Sequence, residues 1–526
     1  MTARGAAWPD PYAGTQARIG VGADDLPQTV DVVVAGMGVT GAGAALDAAS
    51  RGLSVLVVDA HDVAHGTSRW SSKMVHGGLR YLAKGQFGVA HESAVERGTL
   101  MEVTAPHLTH PMPLLLPLHA GTSGFQGALA RTGFVAGDLL RRAARTDGET
   151  LPHPRRVSAT EALTLAPDLR TVGLRGALMS WDGQLEDDAR LVTTLTRTAV
   201  AHGAVARTRV RVVRASRTEV LLRDEQTGAT RTVRTHAVIN ATGVWADTLA
   251  PQIRLRPSRG THLVLRQSSL PGLRVSVTVP IPGTFNRFAL VLPQPDGLIY
   301  VGLTDEPAPG PVPDVPQPTE AEIGFLLDVV GAAFSRPLRR SDVVGAYAGL
   351  RPLLDSGGGA TADLSRRHAV LTAANGVVTV VGGKLTTYRQ MAQEAVDAAL
   401  ATTTLTAGPC RTRALPLLGA APRPALAEIE SPARLVRRYG TEAALVLDNA
   451  LRVSNLSEEE LLAEVSHDIP LTLAELIFGA THEGARTVED LLHRRTRVGL
   501  VPADAALAVP TAQRALRLAL AAPLAH

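Results

Sequence analysis

Asp31-Val-Val-Val-Ala-Gly-Met-Gly-Val-Thr-Gly-Ala-Gly43 is an apolar run that turns on glycines into an Ala-rich segment. The pattern predicts strand, tight turn and helix, the shape of a dinucleotide-binding turn. Gly36 lets the strand turn sharply, Gly38 removes a side chain that would occupy a pyrophosphate's place, and Gly41 lets the helix pack close on the strand. The helix N-terminus then faces the diphosphate. A second apolar run, Ser54-Val-Leu-Val-Val-Asp59, ends in a carboxylate near the ~20-residue spacing at which an acid accepts hydrogen bonds from a ribose diol. A glycine fingerprint can arise by chance in a chain with 49 glycines, but strand, turn, helix, strand and acid in order are much rarer.

The 526 residues allow about three domains at ~150 residues each. A hydrophobic fraction of 45% and a charged fraction of 19% are those of a globular protein. The single cysteine, Cys410, excludes a disulfide framework, a Cys-x-x-Cys redox pair and a multi-thiolate metal site. Redox chemistry here would therefore need a cofactor to carry the electrons. Net charge is +4, the arginines are scattered, and no finger or RNP-type motif occurs, so no nucleic-acid partner is expected. Residues 1–26 lack the apolar core of a signal peptide and read as a flexible tail. No run of ~18 uncharged apolar residues occurs, which leaves a cytoplasmic protein with at most peripheral contact at the inner face of the cell membrane.

Beyond Asp59 the chain runs His61-Asp-Val-Ala-His-Gly-Thr-Ser-Arg-Trp-Ser-Ser-Lys-Met-Val-His-Gly-Gly-Leu-Arg-Tyr-Leu82. Thr67, Ser68, Ser71 and Ser72 can donate to phosphate and ribitol oxygens, and Gly77 and Gly78 allow close approach of a flat ring system. Lys73 and Arg80 would be the neighbouring cations. Residues 87–104 have helical spacing and end at Pro106. His107 and His110 lack a third ligand of matching spacing and read as structural rather than metal-binding. The segment 111–150 reads as mostly helical. Trp181 to Leu191 opens a helix to about His202, capped by Asp187 or Asp188. Residues 204–213 and 218–223 read as strands around turns, with 224–228 as a hairpin.

Two further stretches return to the nucleotide. Ala237-Val-Ile-Asn-Ala-Thr-Gly243 is a strand ending in small residues, and Val377-Val-Thr-Val-Val-Gly-Gly-Lys-Leu-Thr-Thr-Tyr-Arg389 repeats the order strand, double glycine, helix. Three such segments suit FAD better than a nicotinamide cofactor, and a helix N-terminus aimed at the pyrimidine would favour the charge that ring gains on reduction. Between them, residues 256–347 show short period-2 strands, among them Thr261–Arg266 with its Arg259-Gly-Thr-His262, and a Pro-rich loop at 307–318. The 405–526 segment is helical in period, with its charges read as a solvated face and 486–497 as a basic surface able to touch anionic lipid.

Gly36-Met-Gly-Val-Thr-Gly41, Ser71 to Leu82, Asp187-Asp-Ala-Arg-Leu191, Ala241-Thr-Gly243, Gly349-Leu-Arg-Pro-Leu353 and Gly382-Gly-Lys-Leu-Thr-Thr-Tyr-Arg389 together resemble the FAD-dependent, quinone-linked glycerol-3-phosphate dehydrogenases. The match spans about residues 30–500. The Ser-Ser-Lys and Gly-Gly-Lys blocks are its most specific parts.

The resemblance implies an α/β protein with a glutathione-reductase-like FAD domain (27–400, discontinuous), an antiparallel β cap mainly at 256–347, and a C-terminal α-helical domain (405–526). It implies non-covalent FAD and oxidation of sn-glycerol 3-phosphate to dihydroxyacetone phosphate by hydride transfer, with electrons passed to a quinone. The alternatives are an oxidase using oxygen and an FAD-binding protein without catalysis. A homodimer is left open. Cofactor contacts fall on Gly36, Gly38, Gly41, Asp59, Thr67, Ser68, Ser71, Ser72, His76, Gly77 and Gly78. The later segments add Ala241, Thr242, Gly243, Gly383, Lys384, Leu385 and Thr386. Substrate-phosphate cations fall on Arg80, Arg366 and Lys384, and the reacting alcohol on His262 and Arg351. Asp59 stands where the family has Glu, and Arg69-Trp70 where it has small residues.

Overall fold

The computed structural model describes residues 10–78, 85–119, 137–284, 287–355 and 367–521. Its first sheet is built on the strand Thr29–Ala35, whose valines are buried on both faces, as a central parallel strand requires. Thr29–Ala35 lies between Val55–Val58 and Thr230–Asn240, parallel to both. Val205–Thr208 and Gly20–Val21 extend one side in parallel register. Val378–Val381 joins Thr230–Asn240 in parallel. The hairpin strands Val210–Ala215 and Glu219–Asp224 close the other side antiparallel.

Helix Val39–Ser50 follows the glycine turn and is almost wholly buried. Its Gly and Ala residues leave room for two flanking helices, Asp188–Ala201 and Tyr388–Leu400, in one core. Asp187 caps Asp188–Ala201 by accepting from the Arg190 N–H, as the sequence suggested.

The second sheet is mainly antiparallel. It contains Ser258–Arg266, Leu298–Gly302, Phe288–Pro293 and Ser276–Pro280 in that order, then Thr109–His119 and Leu174–Leu185. Val343–Arg351 pairs with Ser258–Arg266 from Ser258 to Leu265. Helix Glu320–Gly331, started by a capping box at Thr319 and Glu322, packs on the apolar face. A third core is formed by helices of the C-terminal segment, among them Leu473–Thr481 and Pro502–Ala521.

Several expectations are corrected. Residues 111–119, expected within a helical segment, belong to the strand Thr109–His119 paired with Leu174–Leu185, and that partner takes in Trp181–Leu185, expected to open a helix. The prolines Pro111, Pro113 and Pro117 are spaced by even numbers, so their missing N–H groups all fall on one edge and the other edge can pair.

Residues 10–26, read as tail, are docked. Tyr12 donates to the Pro416 carbonyl, Ile19 N–H donates to the His482 carbonyl, and Ala17 and Ile19 are buried. The isolated apolar residues of this segment carry no periodicity to reveal that.

The stretch 486–497 is not a basic lipid-facing surface. Arg494, Arg495 and Arg497 are buried, and both Arg494 and Arg495 bind the Asp62 carboxylate, at 2.7 and 2.8 Å. Arg497 pairs with Asp296 at 2.9 Å. Among the described residues no helix is long and apolar enough to cross a membrane.

Candidate functional site: a cofactor cavity closed by the second sheet

A cavity of about 1320 Å³ runs from the glycine turn to the edge of the second sheet. At its nucleotide end Gly36 has φ +100°, and a Cβ there would stand 2.6 Å from the Ala241 carbonyl oxygen, so the turn and the returning strand touch backbone to backbone. Gly41 does not line the cavity; a side chain there would strike the Gly36 carbonyl, so this glycine serves the close packing of helix on strand. Gly38 lines the wall, and the Val39 N–H donates to Ser68 Oγ at 2.9 Å.

Asp59 also lines the cavity, but its carboxylate already accepts from the Met37 N–H at 2.7 Å and the His61 N–H at 2.8 Å. It ties the glycine turn to the end of the second strand, and burial holds its pKa above the ordinary carboxylate value. Each oxygen keeps a further lone pair for a ribose hydroxyl. Ala241, Thr242 and Gly243 stand opposite. The Thr242 hydroxyl is used locally, donating to Asn240 Oδ1 at 2.7 Å.

The Ser-rich stretch divides its labour in a way composition could not show. Thr67 lines the cavity but donates its hydroxyl to the Leu350 carbonyl, and Ser71 donates to Asp188 Oδ2. Lys73, expected as a cation beside the cofactor, points away: it is buried, with its ammonium on Asp188 at 3.0 Å and on the Arg69 carbonyl. Arg69 also turns inward, stacking on Trp70 at 4.1 Å, while the Trp70 ring faces the cavity. His76 and Gly78 line the wall, and the His76 N–H donates to Thr386 Oγ1, joining the second and third segments. Gly77 lies behind them, its N–H bound to Asp182 and its Cα packed on the Arg97 guanidinium. Gly383, Lys384, Leu385 and Thr386 complete this side, where a short 3-10 turn leads into helix Tyr388–Leu400.

At the far end the second sheet contributes His262 and Arg351. Arg351 is oriented by Asp305 at 3.2 Å, Ser258 Oγ at 3.3 Å and the Thr304 carbonyl at 3.3 Å. His262 is paired across strands with Tyr347, and the rings stack at 4.8 Å and 10°. Its Nε2 is 2.8 Å from Ser72 Oγ. Burial first, then the nearby Lys73 and Arg351 cations, holds the imidazole well below its ordinary pKa, so it is neutral at physiological pH. Lys384 Nζ donates to Ser93 Oγ at 2.6 Å, from the wall of the same cavity. Arg80 and Arg366 lie outside the described residues.

Sequence reasoning missed Tyr347, Ser93 and Asp305, which hold His262, Lys384 and Arg351. Their roles depend on sheet register and helix docking, for which a single sequence carries no local signal. His107 is buried and its pKa is pushed down to about 3 by desolvation, a packed histidine as expected. His61, His65 and Asp314 bring possible ligand atoms within 4.8 Å of one another. The two imidazoles are stacked at 4.0 Å and 11°, however, so their in-plane lone pairs run side by side instead of converging on an ion.

The donors and the flat, glycine-lined wall fit a dinucleotide: backbone N–H groups at a helix start, a carboxylate at the ribose end and a second helix start across the cavity. Comparison with known proteins agrees. Residues 31–389 match the family model described as FAD dependent oxidoreductase, and residues 410–519 match the C-terminal domain of alpha-glycerophosphate oxidase. The chain is 51% identical over 494 residues to "Glycerol-3-phosphate dehydrogenase 1" of Mycobacterium tuberculosis (strain ATCC 25618 / H37Rv), covering 93% of this chain and 95% of that one. It is 34% identical to a mitochondrial glycerol-3-phosphate dehydrogenase of Arabidopsis thaliana, covering 91% and 80%. The solved glycerol-3-phosphate dehydrogenase of Bacillus halodurans, complexed with FAD, superposes with a TM-score of 0.68 at 27% identity, covering 94% and 93%. With its FAD cavity and helical C-terminal domain, the chain belongs to the FAD-dependent oxidoreductases, within the glycerol-3-phosphate dehydrogenase family.

Proposed function

We propose that this flavoenzyme oxidises sn-glycerol 3-phosphate to dihydroxyacetone phosphate and passes the electrons to a quinone. The observation that carries the reading is one continuous cavity lined both by the glycine turn, Asp59 and the Ala241–Gly243 stretch and by Lys384, Arg351 and His262. Bound FAD supplies the hydride acceptor. The chain's own residues do the rest. Lys384, with Arg80 and Arg366, clamps the phosphate dianion. Arg351, already fixed by Asp305, orients the alcohol and stabilises the alkoxide that develops on its oxygen. Neutral His262 takes the hydroxyl proton.

The oxidase alternative draws support from the C-terminal match, whose family is described by an alpha-glycerophosphate oxidase. One anaerobic sample distinguishes the two. Glycerol 3-phosphate should bleach the flavin absorbance and glycerol should not; a soluble quinone analogue should then restore the colour faster than air-saturated buffer. Equal bleaching by glycerol would remove the substrate assignment, and faster recovery in air would favour the oxidase. Lys384→Ala should raise KM for glycerol 3-phosphate by ~10 to 150-fold, since a charge-assisted bond contributes roughly 1.5–3 kcal/mol, while flavin content stays near wild type.

A further inference from the structure

His262 faces a difficulty as a base: it is only 1% exposed. Its Nδ1 is buried and has no hydrogen-bond partner among the described residues. The stacked Tyr347 ring covers one face, and the Cδ2–Nε2 edge lies against the backbone of Gly302. The imidazole makes a polar contact through Nε2, with Ser72 Oγ at 2.8 Å. Ser72 is half-buried and lines the cavity. Its neighbours are fixed: Ser71 N–H and Oγ both donate to Asp188, and Lys73 N–H donates to Ser71 Oγ. Both side chains border the cavity, but the Ser72 hydroxyl is the more exposed of the two and stands in contact with Nε2 of an almost wholly buried imidazole.

We propose that Ser72 is a catalytic proton relay, so that the substrate's hydroxyl proton reaches His262 through Ser72 Oγ rather than directly. This rests on the reading of His262 as the base. In the step, the alcohol O–H bond breaks and its proton bonds to Ser72 Oγ. The Ser72 proton passes along the 2.8 Å contact to Nε2, leaving an imidazolium and a neutral serine. The C2–H electron pair leaves with its hydrogen as hydride to the bound flavin, and the carbonyl forms. Nδ1 keeps its own proton throughout, because among the described residues it has no hydrogen-bond partner to take it. The Tyr347 stack restricts the ring to the plane in which Nε2 meets Ser72.

The test uses the FAD-loaded enzyme in single-turnover mixing, with mixtures of H2O and D2O. Wild type should give a bowl-shaped dependence of the reduction rate on deuterium fraction, two protons being in flight, and a linear dependence overturns the relay. Ser72→Ala should keep its flavin and its affinity for glycerol 3-phosphate, lower the reduction rate by ~10² or more and give a linear dependence. Ser72→Thr, which keeps the hydroxyl, should recover most of the rate. A Ser72→Ala reduction rate within about threefold of wild type overturns the proposal even if His262→Ala is slow. A normal rate in His262→Ala instead removes the base assignment on which the relay rests. Nitrogen-15 histidine spectra give a reading independent of turnover: the His262 Nε2 resonance should move in Ser72→Ala and return in Ser72→Thr, and an unmoved resonance counts against the contact. If Ser72→Ala fails to hold flavin, the wild-type isotope dependence alone decides.

Discussion

Asp59 shows what a short side chain does at a position where a longer acid is usual. Its carboxylate spans the glycine turn and the following backbone, accepting one N–H on each oxygen. Asp59→Asn places an NH2 against one of those donors and weakens the turn as well as any ribose contact. FAD should dissociate at least tenfold more readily, as read by flavin fluorescence on dilution; unchanged retention would show that the turn holds without this carboxylate. Gly302 is the second such residue. It lies across the strand pair from His262, and a methyl group there would run into the imidazole. Gly302→Ala should displace the ring and slow flavin reduction by ~10-fold or more, with flavin content and phosphate affinity retained. The glycine fingerprint and its acid were legible in the sequence because their spacing is local. That Asp59 would be spent partly on backbone, or that Lys73 would face Asp188, was not, since both depend on side-chain direction within an irregular stretch.

At the scale of elements, the segment 488–497 acts as a clamp. Arg494 and Arg495 converge on Asp62, three residues past the acid of the nucleotide fold, and Arg495 also donates to the Glu483 carbonyl. Glu483 in turn binds Arg190 on the helix that follows the Asp187-Asp pair, and Asp187 accepts from Arg438. A run of arginines at helical spacing is ordinarily a solvated face, which is why the sequence suggested a lipid-facing surface. Burial of their partners reverses that reading. Removing one member leaves uncompensated charge in the interior, so Asp62→Ala should cost about 3–5 kcal/mol, measured by urea denaturation, and should speed proteolysis at the start of the C-terminal helices. A loss under 1 kcal/mol would mean that water reaches these guanidinium groups. The strand Thr109–His119 is the complementary case, since a Leu- and Pro-rich run lacks the alternation that announces a strand, and its membership is settled by its partner Leu174–Leu185.

Across the whole molecule, buried histidines set the response to acid. Desolvation pushes His482 down to about 3 and His493 to about 4, His107 lies near 3, and His262 is lowered by the same cause. In the unfolded chain each titrates near 6.5, so as pH falls through that value the unfolded state takes up protons that the folded state refuses. Stability is therefore fully present above about pH 6.5 and declines below it. His107, His482 and His493 each take away on the order of 1–2 kcal/mol at pH 5, and melting temperature should drop markedly between pH 7 and pH 5. The substrate reaction should stay level over the same range, its own acid limb lying lower, because His262 remains unprotonated in the folded protein. The docked start of the chain has a different kind of consequence, one that concerns time. Ile19 binds the carbonyl of His482, roughly 460 residues later in synthesis, which at ~5–20 residues per second is about 20–90 s of translation. Gly20–Val21 has its strand partner Val205–Thr208 well before that, as the Ala17 carbonyl has Arg197 and the Ala23 N–H has Asp224, so only the contacts to the C-terminal helices must wait. During that interval the start of the chain can already cover the Val205–Thr208 edge of the first sheet, closing an edge on which a nascent chain could otherwise mispair with its neighbours.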